Sequence, residues 1–379
     1  MKVIRSKRKR KMGEIDFGIF YTVSLLLVIG VVMVYSASSY YSMFMYQNSM
    51  LFLKKQLVSA VVGVVAMAFM MCFDYHKLKK YTLAIMITCI PLLLVVFLFP
   101  AVNGAQRWIQ IGPLPSLQPS EIAKYVVVLF LAMGLENKGE GVKEFTSGIV
   151  PCLGVSGFYA AIVLAEKNLS IAGVIMIVTF IVLFAAGGKI KHLFGIVAPV
   201  MVAAATFFTL SSSYRKDRLL NFIDPWQDPA DKGYQLIQSF YALGSGGVTG
   251  LGLGQSRQKT LYMPEPHNDF IFSIIGEELG LIGCICIITL FVIFIWRGIN
   301  VAMKARDTYG TFLAIGITSV IAVQSLINIA VVTGSMPVTG VPLPFISYGG
   351  SALVINMTAV GILLNISRQI EGKEEIKEI

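Results

Sequence analysis

Ten apolar runs dominate this chain, at 17–38, 56–73, 81–100, 119–135, 146–165, 168–187, 190–210, 267–296, 308–334 and 345–367. Each approaches the ~20 residues that a helix needs to cross a bilayer. Composition leaves no soluble alternative: 56% of the 379 residues are hydrophobic and only 14% are charged. A soluble domain carries about 25% charged residues. The fold class is therefore an all-α polytopic membrane protein with about ten transmembrane helices. A basic segment, 1–16, precedes a single membrane domain, 17–367. A short tail, 368–379, follows it. The longest polar stretch, about 211–266, forms a large extracytoplasmic loop between spans seven and eight.

The charges orient the bundle. With the N-terminus in the cytoplasm, 20 of the 31 Lys and Arg residues fall inside and 10 outside, leaving Lys124 within a span. Six of the outer ones lie in the long loop, which the positive-inside rule largely exempts. The short loops thus divide 20 against 4, and both termini are expected in the cytoplasm. The basic run Lys7–Lys11 abuts the first span, so it reads as an inside anchor touching anionic lipid rather than as a nucleic-acid contact. Ser36-Ala37-Ser38 faintly resembles a cleavage site, but the preceding apolar run is too long for a signal peptide. The five cysteines and three histidines have no metal or redox spacing, and the cysteines read as small buried hydrophobes.

Ionisable groups within spans are costly and therefore candidates for function. On the fourth span Glu121 and Lys124 are one turn apart; they either neutralise each other or serve a site. Asp269 stands near the outer end of the eighth span, where capping of that helix is an alternative role. Glu277 and Glu278 lie deeper and point ~100° apart, so at least one should make structural contacts in the bundle. Gly244–Gly254 lacks the Gly-Lys-Ser/Thr ending of a phosphate loop and reads as a tight turn. Asp224, Asp228 and Asp231, interleaved with prolines, read as turn formers. Trp108 beside Arg107 suits an interfacial aromatic belt. The intramembrane carboxylates gather toward the outer face, and no internal repeat is evident. A proton-coupled carrier would want charge along its whole path.

Four segments carry a resemblance: Gln118–Lys124, Gly233-Tyr234-Gln235, Pro264–Phe272 and Pro344–Ser351. In this order they resemble the SEDS proteins (shape, elongation, division and sporulation) over essentially the whole chain. Asp224-Pro225-Trp226 and Pro337–Gly340 resemble the branch of cell-division FtsW and stage V sporulation protein E. One departure is Asn168, where the family commonly has Asp at the start of the sixth span.

The resemblance implies a peptidoglycan glycosyltransferase that polymerises lipid II into β-1,4 glycan strands, for division or spore cortex synthesis. It would act at the outer face of the bacterial cytoplasmic membrane. Implied partners are a class B penicillin-binding protein and other division or sporulation membrane proteins. Asp269 matches the family's proposed catalytic aspartate, a general base for the acceptor hydroxyl. Glu121, Lys124, Arg107, Trp108, Lys259, Glu265, His267, Ser347 and Tyr348 form the candidate substrate-binding set. No cofactor is required by the pattern, although a divalent cation, Mg or Mn, could join Lys124, Arg107, Arg215 or Lys259 at the leaving diphosphate. The competing expectations are a lipid II flippase and a non-catalytic scaffold.

Overall fold

The computed structural model describes residues 13–101, 104–110, 116–231 and 233–370. The Lys7–Lys11 run, Gly112 and the tail beyond 370 lie outside the described residues. The helices are α1 (Phe17–Tyr46), α2 (Leu51–Cys72), α3 (Tyr75–Val95), α4 (Pro119–Lys138), α5 (Val150–Ala165) and α6 (Leu169–Ala185). They continue with α7 (Ile190–Leu210), α8 (Ser213–Ile223), α9 (Tyr234–Gly246), α10 (Ile271–Lys304), α11 (Thr308–Val332) and α12 (Gly350–Ile370).

Eight of these are long and apolar enough to cross a membrane. The other two expected spans also form helices: α6 has only 17 residues, and α4 carries Glu121, Lys124, Glu136 and Lys138. The protein is a multi-pass membrane protein. Among the described residues the only non-helical pairing is an isolated antiparallel bridge between Ile109 and Leu117, in the α3–α4 connection. The most buried span is α11, which packs against α10, α4 and α6; α2 runs along α12. At the other extreme, α7 is almost wholly exposed on the outside of the bundle. Cys89, Cys152 and Cys284 are buried as expected, but Cys72 and Cys286 lie on the bundle surface.

Both described chain ends share one face. Gly13 N–H donates to the Arg368 carbonyl (2.9 Å), and Asp16 N–H to the Ser367 hydroxyl (3.0 Å). Asp16 also caps α1 by accepting from Ile19 N–H (3.0 Å). On this face Asn365 braces the α2–α3 turn, donating to the Met71 carbonyl and accepting from Tyr75 N–H. The Tyr75 hydroxyl donates to Asp307, which caps α11. The described residues of the connections 99–118, 166–168, 211–270 and 333–349 lie on the opposite face, where the site forms.

The eighth expected span contains a break. At Gly280 the backbone of α10 turns to φ +66°, freeing carbonyls and amides that lipid cannot satisfy. The glycine-rich segment supplies the partners. Leu251 and Gly252 N–H donate to the carbonyls of Glu277 and Glu278 (2.9 and 3.0 Å). Leu281 and Ile282 N–H donate to the carbonyls of Gly247 and Val248 (3.0 and 3.2 Å). The close backbone packing expected of Gly244–Gly254 is present, and its partner in the splice is the broken turn of α10. A Cβ at Gly280 would strike the Gly250 amide and Val248 carbonyl. Gly280→Ala should therefore destabilise the protein by about 2–4 kcal/mol through left-handed strain and backbone collision. Thermal unfolding in detergent checks this, and an unchanged melting temperature would refute the splice.

Candidate active site

The site is built where two loops meet beneath α8. Asn328, on α11, donates one amide proton to the Asp269 carbonyl (2.7 Å) and the other to the Val341 carbonyl (2.8 Å). The Pro264–Phe272 and Pro337–Gly340 motifs are thus pinned together by one polar side chain in an apolar helix. Gly340, at φ +74°, lets its loop press on the carboxylate: a Cβ there would sit 3.2 Å from Asp269 Oδ2. The same loop is held by Arg218, whose Nη1 donates to the Val338 carbonyl (3.1 Å), and by the Ser170 hydroxyl at Thr339.

Asp269 does not cap α10. The residue preceding that helix is Phe270, and no side chain caps it. The Asp269 carboxyl is partly buried instead, and desolvation pushes its pKa up to about 6; nearby Arg218 and Arg107 oppose the rise while Glu265 adds to it. The group is therefore an ionised carboxylate at neutral pH, poised to accept a proton.

His267 lies in an aromatic box of Tyr41, Phe52 and Tyr348, with ring centroids 4.3–5.8 Å away. Burial drives it down to about 4, so the ring is neutral. Tyr348 N–H donates to the His267 carbonyl (2.9 Å), tying the last motif to the Asp269 loop. The Ser347 hydroxyl accepts from Leu343 N–H (2.8 Å) and closes a turn. Glu265, exposed, accepts from Asn268 Nδ2 (2.7 Å). Trp108 is partly buried beside Arg107.

Two expected cations are already matched. Lys124 Nζ meets Glu121 Oε2 at 2.8 Å, both side chains being almost completely sealed. Lys259 Nζ meets Glu278 Oε1 at 2.7 Å and donates to the Ser36 hydroxyl (3.1 Å). Glu277 accepts from Arg257 N–H (2.8 Å) and from the Ser256 hydroxyl. Both deep glutamates thus anchor the 250–260 loop. Arg215 donates to the Phe208 carbonyl (2.9 Å), and it is Arg218 that faces Asp269.

Sequence reading missed three residues: Arg218, Asn328 and Glu166. The last follows α5 in the three-residue connection Glu166-Lys167-Asn168, and that placement is its only signal. It is 1% exposed, and burial raises its pKa to about 8 against the nearby Arg107 charge and Ser120 hydroxyl. Asn168 caps α6 by accepting from Ile171 N–H (3.3 Å) and donates to the Ser120 hydroxyl (3.4 Å). Among the described residues no group of three or more His, Cys, Asp or Glu side chains could hold a metal ion. The chemistry below is derived from the side chains alone.

A membrane bundle whose loops fold a half-buried aspartate against two arginines at one face defines the class. The chain belongs to the FtsW, RodA and SpoVE family, described as cell cycle protein, whose match spans residues 17–372. Stage V sporulation protein E of Bacillus subtilis (strain 168) is 46% identical over 349 residues, covering 91% of this chain and 94% of that relative. Probable peptidoglycan glycosyltransferase FtsW of Geobacter sp. (strain M18) is 40% identical over 367 residues, covering 96% and 99%. Two solved structures share the fold. A chain of a peptidoglycan synthase complex that coordinates polymerization and crosslinking superposes with TM-score 0.79 at 24% identity, covering 95% of this chain and 99% of that one. The rod shape determining protein RodA of Thermus thermophilus gives 0.70 at 23%, covering 95% and 98%.

The sealed Glu121–Lys124 pair generates a test. Lys124→Ala leaves a buried carboxylate without its cation and should cost about 3–5 kcal/mol of stability. Glu121→Gln combined with Lys124→Met should recover most of that loss in thermal unfolding. Loss of activity in the recovered double variant would assign the pair a role in the reaction itself.

Proposed function

We propose that this chain is a peptidoglycan glycosyltransferase that polymerises lipid II. The observation that carries the reading is Asp269, a half-buried carboxylate with pKa about 6 facing Arg107 and Arg218. The names of the FtsW and stage V sporulation protein E relatives support it. The 4-hydroxyl of the acceptor sugar gives its proton to an Asp269 oxygen as its own oxygen attacks the donor's anomeric carbon. The bond from that carbon to undecaprenyl diphosphate breaks, and single displacement turns the α-linked donor into a β-1,4 strand. Diphosphate leaves readily, so one base suffices, unlike the paired carboxylates of glycoside hydrolysis. Arg107 and Arg218 stabilise the departing charge. Lys124 and Lys259 do not, since a carboxylate already neutralises each.

The proposed orientation puts the Asp269 face outside the bacterial cytoplasmic membrane and both termini inside, on the division of short-loop cations, 20 against 4. The proposed partners are a class B penicillin-binding protein and further division or sporulation membrane proteins. The solved relative in a synthase complex supports this. The lipid-facing side of α10, with Leu281, Ile285, Val292 and Trp296 exposed, is the proposed contact.

Purified protein with its partner and labelled lipid II should yield long strands. Asp269→Asn should yield none while inserting and folding normally. Strand synthesis by the parent should also fall as pH drops through about 6, because a protonated carboxyl cannot take the hydroxyl proton. Strands from Asp269→Asn would discard this base. Lipid movement in vesicles without strands would favour a flippase; a cellular role that survives free change of Asp269 and Lys124 while partner binding persists would favour a scaffold.

A further inference from the structure

Among the described residues Glu166 is the carboxylate whose two oxygens are both buried without a hydrogen bond of ordinary geometry, the Ser120 hydroxyl and the Arg107 guanidinium being the groups that act on it. A group so placed has either an electrostatic task or a large desolvation cost with no return. Its surroundings indicate the task. The Arg107 guanidinium, from the α3–α4 connection, faces it; so do the Ser120 hydroxyl of α4 and the Cys89 thiol of α3. Arg107 cannot drift, because its Nη2 donates to the Lys167 carbonyl while Lys167 Nζ donates to the Gly104 carbonyl (3.0 Å). The two connections therefore clamp each other, and Arg107 acts electrostatically on Glu166 and on Asp269 alike.

We infer that Glu166 is a positioning residue for glycan polymerisation: its proton decides whether the Arg107 charge is drawn inward to Glu166 or left to the diphosphate before Asp269. This rests on the polymerase reading above. With Glu166 protonated, Arg107 and Arg218 offset Asp269 and the nearby Glu265, and the site meets the anionic leaving group without net repulsion. Ionisation of Glu166 adds a further carboxylate against those two guanidiniums, draws on the Arg107 charge and weakens diphosphate binding. Burial keeps the protonated form dominant at neutral pH, since the carboxyl titrates near 8. Loss of activity on the alkaline side then belongs to Glu166, as loss on the acid side belongs to Asp269.

The test is the pH profile of strand synthesis from labelled lipid II, between pH 5.5 and 9.5, by the full chain with its partner. The parent should fall through pH 8, reaching about a tenth of its plateau near pH 9, where a group of that pKa is about 90% ionised. Glu166→Gln, a fixed mimic of the protonated form, should keep its pH 9 rate within about twofold of its own pH 7 rate. Arg107→Gln should have a lower plateau, raised KM for lipid II and no alkaline fall; it decides the matter if Glu166→Gln does not fold. An alkaline fall persisting in either folded variant, or absent from the parent, overturns the inference and leaves the polymerase standing. Folded Glu166→Gln without activity at pH 7 overturns it as well. No strands from any protein at any pH overturns both readings together.

Discussion

A backbone group in hydrocarbon must find its hydrogen bond within the protein, and the break in α10 shows what that constraint builds. Gly280 turns the helix aside and exposes carbonyls on one side and amides on the other. The 247–252 backbone takes up both sets, which fixes the start of the long segment leading back to Asp269. Side-chain bonds continue the same splice: Glu277 and Glu278 reach out from the broken turn to hold residues 256–259. The loop that carries the proposed base is thus anchored to the broken turn of α10.

Charge is handled by the same economy, in two different ways. Glu121–Lys124 and Glu278–Lys259 are closed pairs, dry and mutually neutralised. The second ties the 256–260 loop to α10, and neither has much charge left to offer a substrate. Around Asp269 the arrangement is open. Two arginines from separate connections face a half-buried carboxylate without sealing it, and a second carboxylate, Glu166, stands behind one of them. Exposure divides the structural charges from those suited to handling an anionic lipid headgroup.

Legibility followed the range of the interaction. Span positions were readable because each apolar run needs only its own length and composition to define it. The motif residues Gln118–Lys124, Pro264–Phe272 and Pro344–Ser351 marked the correct face, and they do meet: Ser351 accepts from Gln118 N–H, and Tyr348 N–H donates to His267. What each side chain does there was less readable. Lys259 stands in the sequence among the candidate diphosphate ligands because nothing near it announces Glu278, 19 residues on, or Ser36, 223 residues back. Arg215 and Arg218 are indistinguishable by composition; only the helical turn of α8 and the approach of the 338–341 loop select Arg218.

By itself, then, the sequence determined a ten-span helical membrane bundle, the cation asymmetry between its two sets of short loops, and the motifs that gather on one face. These depend on transfer of local segments into lipid and on residue identity, both of which act along the chain. Only the tertiary structure decided that the glycine-rich segment repairs a broken helix and that two of the lysines are neutralised. It also decided that Asn328 pins Asp269 in place and that Glu166 lies buried behind Arg107. Each of those depends on desolvation and on a partner brought from a distant part of the chain, and the energy of a buried charge or an unpaired amide is set by what packs around it.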